Sequence, residues 1–211
     1  MTRRLIKFSF SSLIIQDIEG MRAAGLATIA YYYFDFRDVK KQDLYGLLSS
    51  LVSQLSAELD SCCKVLSQLY LDHASGMRKP TTTTLSKCFK DMLSQPGQGP
   101  IYIIVDALDE CPDVLGAPSA REEVLKLVAE IVGLKLSNLH LCVASRPGIG
   151  IRKTLEPLRP LQISLHDEDR QKDDIIQYIK SVVHSDKKIQ GWRNNEKQLV
   201  FEELSKKSDG M

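Results

Sequence analysis

Ile101–Glu110, with the sequence IYIIVDALDE, is the stretch that decides the fold. Five apolar residues precede three carboxylates, which belong to Asp106, Asp109 and Glu110. An apolar run of this kind is typical of a parallel strand that is buried on both faces. Parallel sheets present functional groups at the carboxyl ends of their strands. The stretch therefore predicts a buried strand with an acidic cluster at its tip, placed to hold a metal ion.

A second short strand is predicted at Leu139–Val143, followed by Ala-Ser-Arg-Pro at residues 144–147. Between the two strands, Arg121–Gly133 has the spacing of a helix, and its predicted apolar side comprises Val124, Leu125, Leu127, Val128, Ile131 and Val132. Strand, helix and strand in this order predict a right-handed parallel crossover. Both strand ends then lie on one edge of the sheet, which brings Arg146 towards Asp106.

Three motifs occur together in this chain. They are the apolar run ending in Asp-Ala-Leu-Asp-Glu-Cys at 106–111, Ala-Ser-Arg-Pro at 144–147, and Ala-Tyr-Tyr-Tyr-Phe-Asp-Phe at 30–36. In this combination the chain resembles the NACHT-type NTPase domain, particularly the fungal form found in NOD-like receptors and nephrocystin-3-like proteins. The resemblance extends from about Ser12 to the C-terminus. It implies an α/β fold of the P-loop NTPase kind, with a parallel sheet, flanking helices and a C-terminal helical extension.

The resemblance also implies a site for Mg²⁺ with ATP or GTP. In the second acidic motif, called Walker B, Asp106 would bind Mg²⁺, while Asp109 and Glu110 would polarise the attacking water. Arg146 would sense or neutralise the terminal phosphate, because its planar fork matches phosphate oxygens. Simpler interpretations stay open. Asp109 and Glu110 could lie in a polar loop or favour a nearby helix start through its dipole, and Arg146 could be a turn residue paired with a surface carboxylate.

The phosphate-binding loop of the family, G-x-x-x-x-G-K-[ST], does not occur in the 211 residues. In that loop, backbone N–H groups cradle the phosphates and the lysine reaches the β and γ groups. Met1–Ser12 contains no glycine, so Lys7 is no substitute. Micromolar binding corresponds to roughly 8 kcal/mol, and each lost charge-assisted contact removes about 1.5–3 kcal/mol. We therefore predict that the first strand and P-loop are missing or altered, and that this chain neither binds nor hydrolyses ATP or GTP efficiently.

Composition sets limits on function without identifying it. With 43% hydrophobic and 26% charged residues, the chain has enough apolar material for one sizeable core. A net charge of +1 gives no indication of a nucleic-acid surface. Five cysteines without a C-x-x-C pair argue against a disulfide framework or a zinc site, and favour a reducing, cytoplasmic location. No apolar run reaches the ~18 residues of a membrane span.

The remaining pattern predicts further helices and strands. The strands are predicted at Ala27–Phe36 and Leu161–Leu165. In the first half of the chain, helices are predicted at Ser12–Ala24, closed by Gly25, after Asp43 with a leucine stripe ending at Leu59, and around Leu85, Phe89, Met92 and Leu93. In the second half, they are a short helix after Pro147, a helix carrying Ile175, Ile176, Ile179, Val182 and Val183, and a final helical segment with Leu199, Val200, Phe201 and Leu204.

We predict three regions: an atypical N-terminal segment at 1–11, a NACHT-like NTPase core at 12–166, and a truncated C-terminal helical extension at 167–211. Three interpretations of function remain. The first is a nucleotide-switch domain, whose own hydrolytic activity the sequence leaves uncertain. The second is a non-enzymatic interaction module that forms a homo-oligomer or associates with intact NACHT relatives. The third is a fragment of a gene model without independent function.

Overall fold

The structure of the protein is a computed structural model, which describes residues 2–73, 75–113, 119–146, 148–158, 161, 176–177, 179–183 and 191–208. The chain divides into two compact units. One comprises Ile6–Pro160, and the other comprises Met1–Leu5 together with Leu161–Met211.

The described part of residues 2–158 contains six α-helices and three strands. The helices are α1 (Thr2–Ala23), α2 (Leu44–Glu58), α3 (Asp60–Asp72), α4 (Thr82–Leu93), α5 (Ala120–Gly133) and α6 (Ile149–Leu155). The strands are β1 (Thr28–Tyr33), β2 (Ile101–Asp106) and β3 (Leu139–Val143). Short 3-10 turns lie at Val39–Lys41, Leu108–Glu110 and Glu156–Leu158. The second unit contains helix α7 (Asn194–Ser208).

The described strands form one parallel sheet in the order β1-β2-β3, so β2 lies in the middle. Thr28 is in register with Ile101, and Tyr33 with Asp106. On the other side of β2, Ile101 is in register with Leu139. The predicted parallel sheet with flanking helices is confirmed, and all three strands end at the same edge.

The two faces of the sheet are covered unequally. Ile101, Ile103 and Val105 of β2 join a large core with residues of α2, α4 and α5. Their neighbour Ile104 points to the opposite face, where it packs with Ile18 of α1. This alternation follows from the pleat, since successive side chains of a strand point to opposite faces. Cys62 of α3 and Ile151 of α6 belong to the same core. The sheet is therefore a middle layer, with α2 to α6 on one side and α1 on the other.

Local sequence signals set several element ends. Asp43 caps α2, because its carboxylate accepts a hydrogen bond from the Gly46 N–H at 2.7 Å. Ser119 and Glu122 form a capping box at the start of α5. Gly25, with φ of +70°, lies just beyond the end of α1 in a conformation that glycine adopts readily. These signals explain why α2, α5 and the end of α1 lie where the sequence predicts them.

Some predicted bounds are wrong. Leu59 does not continue the helix of α2, because its extended backbone separates α2 from α3, a helix that the pattern did not predict. Strand β1 is shorter than the predicted Ala27–Phe36. Val132 does not belong to the apolar side of α5, since it is 38% exposed. Helix α1 begins at Thr2, ten residues before the predicted start at Ser12.

The described residues test some of the predictions for the C-terminal part of the chain. The final helical segment is confirmed by α7. Residues 176–177 and 179–183 are helical, as predicted, whereas Ile175 lies outside the described residues. Leu161 is 91% exposed and in no strand, and the rest of the predicted strand at Leu161–Leu165 lies outside the described residues. In the described part of the chain, every helix is too short or too polar to span a bilayer.

Candidate functional site

The tip of β2 is built around Asp106, which is 2% exposed. Its Oδ1 accepts a hydrogen bond from the Ala107 N–H at 2.7 Å, and its carbonyl accepts one from the Phe34 N–H at 3.1 Å. Ala107 has a φ of 55°, a left-handed conformation that residues with a Cβ rarely adopt. The chain therefore turns sharply after Asp106 and enters the 3-10 turn Leu108–Glu110.

The tips of β2 and β3 are held together beyond the ends of the strands. Ala144 donates its N–H to the carbonyl of Val105 at 2.9 Å. In return, the Leu108 N–H donates to the carbonyl of Ala144 at 3.1 Å. This pair of hydrogen bonds places the acidic turn after β2 directly beside Ser145 and Arg146.

Asp109 and Arg146 form the central contact of the site. The Nε of Arg146 lies 3.2 Å from Oδ2 of Asp109, and the Arg146 backbone N–H donates to Oδ1 at 2.9 Å. The Ser145 hydroxyl lies 3.5 Å from the same Oδ1 and 2.9 Å from the Arg146 carbonyl, the nearer acceptor for its single proton. The Asp109 side chain is only 17% exposed, while that of Arg146 is 59% exposed. Arg146 is thus paired with a carboxylate, as its simpler interpretation predicts, but that carboxylate is mostly buried.

Glu110 faces the loop after β1 instead. Its Oε2 accepts a hydrogen bond from the Phe36 N–H at 3.3 Å. In the same loop, Arg37 pairs with Asp35 at 3.1 Å. The two carboxylates of the acidic turn therefore contact different strand tips, Asp109 that of β3 and Glu110 that of β1.

Arg121 is a residue of the site that the sequence analysis missed. Its guanidinium donates to the carbonyls of Asp109 at 3.0 Å and Cys111 at 3.0 and 2.7 Å. It also pairs with the Asp113 carboxylate at 3.0 Å. Its acceptors are chiefly backbone carbonyls, and because every residue has one, the sequence does not show which of them are used. An arginine in the first turn of α5, soon after the acidic motif, is the only sequence signal available.

The surroundings of Asp106 on its side of the sheet are partly apolar. Burial raises the pKa of Tyr33, and the negative charge of Asp106 raises it further. A hydrogen bond with Ser12 of α1 acts on Tyr33 in the opposite direction. Burial also raises the pKa of Cys142, with a smaller contribution from Asp106. The Asp106 carboxylate therefore has Tyr33 and Cys142 as neighbours, and Ser12 of α1 adjoins Tyr33.

Whether these residues fit a metal and a nucleotide can be judged from the donor groups. Within the described ranges, no three His, Cys, Asp or Glu side chains come together to hold a metal ion. Magnesium in nucleotide sites needs only one or two carboxylates, since phosphates and water complete its coordination shell. The carboxylate of Asp106 is therefore a suitable type of ligand for Mg²⁺. A triphosphate needs free N–H donors. The backbone before Leu13 is helical, and N–H groups in the interior of a helix bond to carbonyls of that helix.

A family model described as Nephrocystin 3, N-terminal, matches residues 7–146. The chain belongs to the nephrocystin 3 N-terminal family. The match covers more than half of the chain and includes Asp106, Asp109, Glu110 and Arg146. No curated protein and no solved structure matches the chain. The predicted nephrocystin-3-like resemblance is confirmed, and in this nephrocystin-3-like domain all four predicted site residues lie at the carboxyl edge of one sheet.

Proposed function

We propose that the chain is a NACHT-like nucleotide-switch domain of a signal-transduction NTPase which, as these 211 residues, does not bind a nucleoside triphosphate tightly. The observation that carries this proposal is the ion pair between Asp109 and Arg146 at the strand tips. It holds the acidic turn beside the tip of β3 and engages, through its Nε, the arginine that we assign to the terminal phosphate.

The ion pair makes phosphate binding costly. A terminal phosphate at this place would have to share the guanidinium of Arg146 with the Asp109 carboxylate, which lies 3.2 Å from its Nε. The backbone N–H of Arg146 also donates to this carboxylate, at 2.9 Å, and holds it at the tip of β3. Since a carboxylate already neutralises part of the guanidinium charge, a phosphate gains less from Arg146 than it would from an unpaired arginine.

The backbone before Leu13 supports the same proposal. In P-loop proteins, affinity for phosphate comes from a nest of glycine N–H groups at a helix start. Here the chain is already helical from Thr2. The first two glycines of the sequence are Gly20, within α1, and Gly25, just after it. Ser12 of α1 lies at the strand tips, where it contacts Tyr33 at the end of β1. From there α1 runs back towards the start of β1, so both glycines lie away from the tips.

Family members that hold Mg²⁺ with ATP or GTP would use the same edge. Asp106 is then the position for the metal, Asp109 and Glu110 are the positions for the attacking water, and Arg146 is the position for the terminal phosphate. When bound, Mg²⁺ neutralises charge on the phosphate oxygens. In this chain, the contribution of these residues is to hold three strand tips in one arrangement.

Isothermal titration with Mg-ATP and with Mg-GTP tests the proposal. We expect no binding in the micromolar range for the wild-type chain, for Asp106→Asn, or for the control Asp91→Asn on the exposed side of α4. Low-micromolar binding by the wild type would contradict the proposed loss of affinity, and loss of that binding in Asp106→Asn alone would assign it to the tip of β2. The control separates a site effect from the general effect of removing one surface charge.

A non-enzymatic interaction module is the second candidate. The contacts Asp109–Arg146 and Glu110–Phe36 favour it, because they make the acidic turn part of the scaffold. Such a module would associate with itself or with intact NACHT relatives through its helical surfaces. Co-purification with a full-length relative that is unaffected by added Mg-nucleotide is the expected result, and dissociation on adding nucleotide would count against it.

A further inference from the structure

Strand β1 lies at one end of the described sheet. The N–H groups of Thr28 and Phe34 donate to carbonyls on the β2 side, those of Pro100 and Asp106. Since backbone groups alternate in direction along a parallel strand, the backbone of Tyr31 points away from β2. A sheet edge of this kind is a template for pairing with another strand.

A side chain from α2 occupies this edge. The Oε1 of Gln54 accepts a hydrogen bond from the Tyr31 N–H at 3.0 Å, and its Nε2 donates to the Tyr31 carbonyl at 2.8 Å. The same Nε2 donates to the Ser50 hydroxyl at 3.0 Å, which fixes the orientation of the amide. A primary amide offers one acceptor and a donor, as a peptide group does. Gln54 therefore takes the place of one peptide group of a neighbouring strand.

A second contact lies near the amino end of the same strand. Arg22 of α1 pairs with Glu58 of α2 at 2.6 Å. Because α1 and α2 cover opposite faces of the sheet, this pair links the two layers beside β1. Access to the edge is therefore limited both at its centre and close to its start.

The sequence of β1 carries none of the usual protections of an edge strand. Natural sheets protect their edges with charged side chains, proline or bulges. Thr28–Tyr33 has the sequence TIAYYY, without charge, proline or glycine, and with high β-propensity. Short segments with these properties pair readily with copies of themselves.

We propose that Gln54 is a guard residue, which keeps β1 from pairing with β1 of a second copy of this chain. A second copy fits because two identical edges are self-complementary about a two-fold axis. In an antiparallel pair centred on Tyr31, each Tyr31 N–H meets the Tyr31 carbonyl of the other chain. These are the two groups that Gln54 binds. The guard acts whether or not the chain binds nucleotide.

Sedimentation velocity over a concentration series tests the proposal with Gln54→Ala. We expect dimer to accumulate with concentration in this variant, while the wild type stays monomeric at the same concentrations. The control Gln68→Ala removes an exposed glutamine of α3 that bonds to Asp72, and it should sediment as the wild type does. A folded Gln54→Ala chain, shown by its circular dichroism, that stays monomeric throughout would overturn the proposal.

Two further variants separate edge pairing from simple loss of stability. Gln54→Glu also removes the amide donor but leaves a charge on the edge, so we expect it to stay monomeric. Adding Tyr31→Lys to Gln54→Ala places like charges opposite each other in the predicted pair, and should restore the monomer. If Gln54→Glu dimerises as Gln54→Ala does, or if the double variant remains a dimer, pairing through β1 is refuted.

Discussion

Replacing Arg121 by alanine tests whether this side chain holds the acidic turn in place. The substitution removes the hydrogen bonds to the carbonyls of Asp109 and Cys111 and the ion pair with Asp113. The Arg121 side chain is 21% exposed, so its bonds to the carbonyls are largely shielded from water. The Asp113 side chain is 56% exposed, so that ion pair adds little to stability.

The expected loss of stability follows from these contacts. Hydrogen bonds to a charged group contribute about 1.5–3 kcal/mol each, and water that enters the opened loop returns part of this. We therefore expect Arg121→Ala to lower the free energy of unfolding by about 2–4 kcal/mol. For a chain of this length, the melting temperature should fall by about 5–15 °C.

Urea denaturation followed by circular dichroism measures the change, with Arg37→Ala as the control. Arg37 is an exposed arginine at the same edge of the sheet, and its hydrogen bonds go to its near neighbour Asp35. We expect its removal to leave the urea midpoint unchanged. Arg121→Lys keeps the charge but not the planar fork, so its midpoint should lie between those of the wild type and the alanine variant.

A second readout follows the acidic turn itself. The Cys111 thiol is fully buried and donates to the carbonyl of Gln42 at 3.2 Å. If Arg121 holds the turn closed, Arg121→Ala should make Cys111 react faster with a thiol reagent under native conditions. Equal midpoints for Arg121→Ala and Arg37→Ala, together with an unreactive Cys111, would refute the reasoning.

The packing and titration of other residues give three more predictions. Gly46→Ala should destabilise the fold by about 1–3 kcal/mol in urea denaturation, because a Cβ there would meet the Lys40 carbonyl and lie 2.8 Å from the Tyr32 hydroxyl. Gly20→Ala, in open space within α1, should instead stabilise it by about 0.5–1 kcal/mol, and destabilisation there would contradict the placement of α1. Burial raises the pKa of Cys111 from 9.0 to about 12, so the unfolded chain releases this proton first. Stability should therefore be present below pH 9 and be lost between pH 9 and about 12, and Cys111→Ser should show a shallower loss over this range.

The central elements could be predicted because their sequences allow few alternatives. The run before Asp106 is too short and too β-prone for a buried helix, and the apolar positions of Ala120–Gly133 follow the helical period. Helix α3 could not be predicted in the same way. Leu59 continues the leucine period of α2 by one more step, although the backbone is already extended there. Spacing alone does not show where a helix breaks.

The location of the candidate site could be predicted, whereas its contacts could not. Parallel pairing requires the tips of β2 and β3 to lie at one edge, so the proximity of Asp109 and Arg146 follows from topology. The bonds of Arg121 go mainly to carbonyls, and the left-handed turn at Ala107 occurs at a residue that does not favour it. Both depend on tertiary geometry that no local pattern encodes.

The parallel register has a consequence for the order of events on the ribosome. Thr28–Tyr33 pairs with Ile101–Asp106, which is synthesised about seventy residues later. At typical elongation rates, this corresponds to roughly 4–15 s during which the tyrosine-rich strand has emerged without its permanent neighbour. Helix α2 is the next α-helix after β1, so Gln54 is synthesised early in that interval. The same amide can therefore shield the nascent strand from neighbouring chains on a polysome before the sheet exists.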